Sequence, residues 1–170
     1  MKKALIAVLL ILSTGSAAWA EAIPTQLKSQ ADSLAGLIKD AYASEYGRKY
    51  YLVQADARTA VVLFGFDGFA QGNNWAQYMA VFSVLSSAEP GQPDYYSLLD
   101  VAKIGAPAWR SANFSGVAVV VDPKSREATI SLPMKESMPG DSPNFPSRQS
   151  EVTYKIKLRQ GERLRINDSL

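Results

Sequence analysis

The sequence predicts an α+β domain: an N-terminal amphipathic helix packed on an antiparallel meander of about seven strands. Three observations predict it. Apolar residues recur at spacings of three and four over residues 27–42. From residue 49 onward the period changes to two. Turns rich in Gly, Pro and Asn separate the runs too closely for crossover helices, so neighbouring strands should be antiparallel. A partial barrel or a two-sheet sandwich is equally compatible with the pattern.

Ahead of the domain, residues 1–20 read as a cleaved signal peptide. Lys2 and Lys3 are a basic start, residues 4–12 are uninterruptedly apolar, and Ala18-Trp19-Ala20 places small residues where signal peptidase reads. Cleavage is expected before Glu21, leaving one domain over residues 21–170. The apolar run is too short for a hydrocarbon core of about 30 Å, and no cysteine follows it to carry a lipid. No second such run occurs, so no membrane span is expected once the leader is gone. The expected compartment is the periplasm, or the medium if the chain is secreted.

The helix begins at Pro24 and Thr25. Leu27, Ala31, Leu34, Ile38, Ala41 and Tyr42 form its apolar stripe, and Gly47 is placed to stop it. Leu34, Ile38 and Tyr42 should face the sheet, with Lys39 exposed. Residues 49–54 and 59–66 are strand runs around a turn at 55–58. Residues 75–85 and 95–104 follow, separated by a loop with Pro90, Gly91 and Pro93. Residues 117–121 and 127–132 flank Asp122-Pro123-Lys124-Ser125-Arg126, a hairpin signal. Residues 135–150 hold three prolines and read as a long loop. Residues 151–159 alternate strictly, turn at Gln160-Gly161 and return through 163–166. Two runs, 61–64 and 117–121, are apolar on both faces. Either the helix covers one face of a mid-sheet strand or the sheet folds onto itself.

Composition excludes several chemistries. The chain has no histidine and no cysteine, so there is no imidazole or thiolate metal site, no disulfide and no Ser-His-Asp or Cys-His machinery. No metal site or cofactor is expected. Losing Lys2 and Lys3 with the leader leaves sixteen basic against sixteen acidic residues, too neutral a chain to draw nucleic acid. Phosphate loops, dinucleotide fingerprints and serine-nucleophile elbows are absent from the domain. No catalytic residue is assigned.

Three polar, aromatic loops remain as candidate surfaces. In residues 66–75, Gly68 and Gly72 permit positive φ, while Asp67, Asn73 and Asn74 offer oxygens to a polar ligand or serve a wide hairpin turn. In residues 105–111, Trp109 beside Arg110 is either a binding hot spot or a core-closing ring with the arginine snorkelling past it. Residues 138–148 contain Asp141, Asn144 and Arg148 among prolines that stiffen the loop for recognition or simply keep it ordered.

Taken together, residues 58–166 resemble a broad group of uncharacterised exported bacterial proteins. The likeness rests on the strand leading into Asp67-Gly68-Phe69-Ala70-Gln71-Gly72-Asn73-Asn74-Trp75, on Tyr96-Ser97-Leu98-Leu99-Asp100, and on Gly105 through Ser111. Such proteins often carry two adjacent cysteines before a Pro-Ser pair, where this chain has Asn144-Phe145-Pro146-Ser147. The resemblance implies an exported, strand-rich single domain and no reaction.

The expected function is a non-enzymatic binding module using loops at one end of the sheet, with another envelope protein or a small polar ligand as its partner. Two alternatives stand beside it. One is an inhibitor or immunity protein that inserts the proline-rich loop into a cell-envelope enzyme. The other is a carboxylate-based hydrolase, which would require Asp67, Asp100 and Asp141 to share a pocket.

Overall fold

The computed structural model describes residues 23–39, 50–56, 58–67, 74–157 and 167–169. One helix, α1 (Thr25–Ile38), precedes nine described strands. Strands β1 (Tyr50–Asp56), β2 (Thr59–Phe66), β3 (Ala76–Leu85) and β4 (Tyr95–Gly105) form one antiparallel sheet in that order. A second sheet contains β5 (Arg110–Ala112), β6 (Ala118–Asp122), β7 (Glu127–Glu136), β8 (Arg148–Lys157) and β9 (Asn167–Ser169). Its order is β5-β7-β8-β9, with β6 also on β7. The single meander of about seven strands is therefore corrected to two antiparallel sheets, and among the described residues they do not close into a barrel.

Period-two patterning explains the layers. In β2, Val61 and Leu63 point to one side while Ala60, Val62, Phe64 and Phe66 point to the other, and all are buried. Val61 and Leu63 join Met79 and Val81 of β3 against Ile130, Leu132 and the other inward residues of the second sheet. Val62, Phe64 and Phe82 instead meet Leu27, Ala31, Leu34 and Ala35 of the helix. Residues 61–64 are apolar on both faces because the helix and the second sheet each cover one. The two explanations for that run hold together.

The helix ends earlier than its spacing predicts. Lys39 is already extended, and its N–H closes the last turn on Ala35 O at 3.0 Å. Ile38 is half-buried against the helix-side core. Tyr42, Gly47 and the turn at Gln160-Gly161 lie outside the described residues, as does residue 21. The chain must return from Ile38 to Tyr50, whose hydroxyl bonds Asp32, about two turns back along the helix. That return requires the helix to stop.

Residues 117–121 also depart from expectation. Val117 and Val119 pack on the core, while Val120 is 68% exposed. The reason is that β5 and β6 share one side of β7, β6 pairing with residues 127–131 and β5 with 134–136. Each is an edge segment. Pro133, which has no N–H, sits in the gap where β7 changes partner. Edge strand β4 is blunted differently: it bulges around Leu99, and the Val101 N–H is taken by the Asp100 carboxylate at 2.8 Å.

Candidate functional site

At the end of the sandwich where β2 leaves the first sheet, the two sheets diverge around a groove of about 370 Å³. One wall comes from the first sheet and the chain just beyond it, with Tyr51, Gly65, Phe66, Asp67, Trp75, Ala76 and Gln77; residues 111–115 form the other. The walls are joined by one side chain. Gln77 Nε2 donates to Ala112 O at 3.0 Å, and Gln77 Oε1 accepts from Ala112 N at 2.7 Å. The amide thus reproduces a strand–strand pairing between β3 and β5. Gly105 makes room for it: a Cβ there would lie 2.3 Å from Gln77 Oε1 and 2.9 Å from Arg110 O.

The far wall is a short turn built from polar residues. Asn113 Oδ1 accepts from the Ser115 N–H at 3.2 Å and from Ser115 Oγ at 2.8 Å, which winds Phe114–Gly116 into a 3-10 turn. Phe114 then meets Tyr51 edge to face, with centroids 5.4 Å apart. Residues 112–115 were not singled out from the sequence, although Asn-x-Ser before Gly is a recognisable turn signal.

Among the described residues, hydrogen bonds link the end of the first loop, at Trp75, to the other two loops picked from the sequence. Trp75 Nε1 donates to Asn144 Oδ1 at 3.2 Å, joining the Gly- and Asn-rich turn to the proline-rich loop. Ala108 N donates to Pro143 O at 2.7 Å, and Ser137 N to Trp109 O at 2.8 Å, joining that loop to the Trp109 segment. Ala108 is held at φ 56°, a left-handed conformation unusual for a residue with a side chain. Asp67 lies on the groove and, like Asn74 nearby, is exposed. Asn73 lies outside the described residues.

Arg110 has the opposite placement to the exposed fork expected of it. It is 1% exposed, donating from Nε to Ile104 O and from Nη2 to Tyr154 Oη, both at 3.0 Å. Trp109 is the more open partner, 42% exposed, with its ring 4.1 Å from the guanidinium carbon. The inward phase of β5, shared by Arg110 and Ala112, puts the arginine inside. Neither a surface fork nor a snorkelling arginine describes it.

Asp141 and Arg148 are engaged within their own loop. Asp141 Oδ2 accepts from Met138 N at 2.8 Å and from Ser147 N and Oγ, each at 3.0 Å. The Met138 N–H is the largest influence and holds this carboxyl below its ordinary value; desolvation opposes it, and the two Ser147 donors add to the lowering. Arg148 is the first residue of β8 rather than part of the loop, and it pairs with Glu136 directly across the ladder. The hydrogen bond from Arg148 is the main reason the Glu136 carboxyl is lowered, and the nearby charge of Arg110 assists.

Acidic groups do not converge. Asp67 lines the groove, Asp100 caps its own strand amide in mid-β4, and Asp141 is closed on its loop. Among the described residues no group of three acidic side chains could hold a metal ion, and no helix is long and apolar enough to cross a membrane. No protein-family model, curated protein or solved structure matches the chain.

Proposed function

We propose that the chain is an exported, non-enzymatic binding module that takes its ligand at the end of the sandwich beside Trp75. The observation carrying this reading is the junction there. Three loops from distant parts of the sequence are tied together through Trp75–Asn144 and Ala108–Pro143, next to an open groove. Side chains held in place before a ligand arrives lose little freedom on binding, which favours affinity. The basic start, apolar run and Ala18-Trp19-Ala20 of the leader support export. A single carboxylate on the described groove wall supports binding over acid–base catalysis, which needs a second group to move the proton.

A second reading, an inhibitor of an envelope enzyme, is favoured by Phe145. It stands 74% exposed on a loop made of two proline turns. Immobilised protein incubated with periplasmic extract separates the two readings, with retained proteins and small molecules identified by mass spectrometry. Retention lost in Trp75→Ala but kept in Phe145→Ser, with melting temperatures unchanged, is the expected result. The reverse pattern selects the inhibitor. Equal retention by wild type and both variants defeats both readings.

A further inference from the structure

We propose that the groove beside Trp75 binds a neutral saccharide. This rests on the binding-module reading and names its ligand class. A volume of about 370 Å³ lies at the small end of the range for organic ligands. The lining alternates two kinds of surface. Tyr51, Trp75 and Phe114 are half-buried rings that present flat apolar area. Between the rings stand a carboxylate, Asp67, an amide, Asn113, and the hydroxyls of Ser111 and Ser115.

Charge narrows the ligand. Among the described lining residues Asp67 is the one ionisable acid or base apart from the Tyr51 phenol, and none of them is a cation. A phosphate or carboxylate ligand would therefore face a carboxylate with no compensating cation. A purely apolar ligand would desolvate the Asp67 carboxylate and offer it no hydrogen bond in return. A quaternary amine would satisfy Asp67 and the rings but leave the hydroxyl and amide groups unused. A pyranose uses both surfaces. Its C–H face lies on an aromatic ring, and its hydroxyls donate to the carboxylate and exchange hydrogen bonds with Asn113 and the serines.

Preorganisation points the same way. Trp75 is anchored through Nε1 to Asn144, Asn113 is anchored to Ser115, and Gln77 is engaged at both amide atoms by Ala112. Gln77 accordingly shapes the groove and leaves recognition to its neighbours.

The test is calorimetric titration of the protein, purified from the periplasm of an expression host, with neutral hexose and N-acetylhexosamine oligosaccharides. Tetramethylammonium and a sugar phosphate serve as contrasting probes. At least one neutral glycan should bind with Kd of about 1 mM or tighter. Its affinity should be unaffected by added salt, because no ligand charge is screened. The accompanying change in tryptophan emission should persist in Trp109→Phe and vanish in Trp75→Phe. Asp67→Asn should weaken binding at least about fivefold, the loss of one charge-assisted hydrogen bond, without shifting the melting temperature. Failure of every neutral glycan overturns the inference, as does glycan binding indifferent to Trp75→Phe and Asp67→Asn. Salt-sensitive binding of tetramethylammonium alone also overturns it but leaves the binding-module reading standing. That broader reading falls only if retention from periplasmic extract is also indifferent to Trp75→Ala.

Discussion

Arg110 illustrates how one residue sets the frame of the site. Its guanidinium carries hydrogen bonds to Ile104 O at the end of β4 and to the Tyr154 hydroxyl on β8, so it ties the two sheets together under the Trp109 ring. Arg110→Ala removes a large buried side chain together with its bonds to Ile104 O and Tyr154 Oη. A loss of about 2–5 kcal/mol in urea unfolding is expected. Arg110→Lys should recover little of it, because an ammonium cannot span the two acceptors as a fork does. A loss no larger than a surface substitution would show that the end of the sandwich holds without this tie. The Trp109-Arg110 pair was legible in the sequence as a special place, yet its sense was inverted. Arginine is rarely buried, so composition argues for the surface, and a three-residue strand is too short to reveal its inward phase.

At the scale of elements, the proline-rich loop shows what local chemistry can and cannot reveal. The sequence marked it as a long loop with three prolines; the structure adds two turns, Asp141 N bonding Met138 O at 3.0 Å and Phe145 N bonding Ser142 O at 2.9 Å. Gly140, at φ 95°, takes the left-handed position after Pro139 that a type II turn demands. The sequence reading placed Asp141 among binding residues because an isolated carboxylate in a loop does not disclose its acceptor role. Its three donors make the loop acid-sensitive. The folded carboxyl is lowered below its ordinary value of 3.8, so its contribution is present above that value and lost as pH falls through the folded pKa. The amide resonances of Met138 and Ser147 should therefore titrate together with a midpoint below 3.8, and Asp141→Asn should abolish that shared transition. Independent midpoints for the two amides would break the link. Strand boundaries nearby were harder to read. β7 and β8 extend to Glu136 and from Arg148 because an ion pair joins them across the ladder, a contact that no one-dimensional pattern displays.

The whole molecule is three layers with two separate apolar clusters, and the first sheet belongs to both. The period change and the doubly apolar run at 61–64 made a helix, strands and a covered central strand legible. The division into two sheets was not, because inward residues of β7 and β8 alternate alike whether they face a partner sheet or line a curved one. The layers should differ in stability. Helix α1 has no side-chain cap at its start, contains Gly36, and buries only Leu27, Ala31, Leu34 and Ala35 within its length. The inter-sheet cluster joins buried residues from seven strands. We therefore expect α1 to open as a unit at lower free energy than the sandwich, with its amides exchanging ahead of those in β7 and β8. Ile130→Val distinguishes this from a single cooperative unit. Ile130 belongs to the inter-sheet cluster, so the change destabilises the native and helix-detached states alike relative to the unfolded chain, by about 0.5–1.5 kcal/mol. Where exchange reports equilibrium opening, β7 and β8 amides should exchange about two- to twelvefold faster while α1 amides keep their wild-type rates. Equal acceleration in α1 would mean that the helix leaves only when the sandwich unfolds.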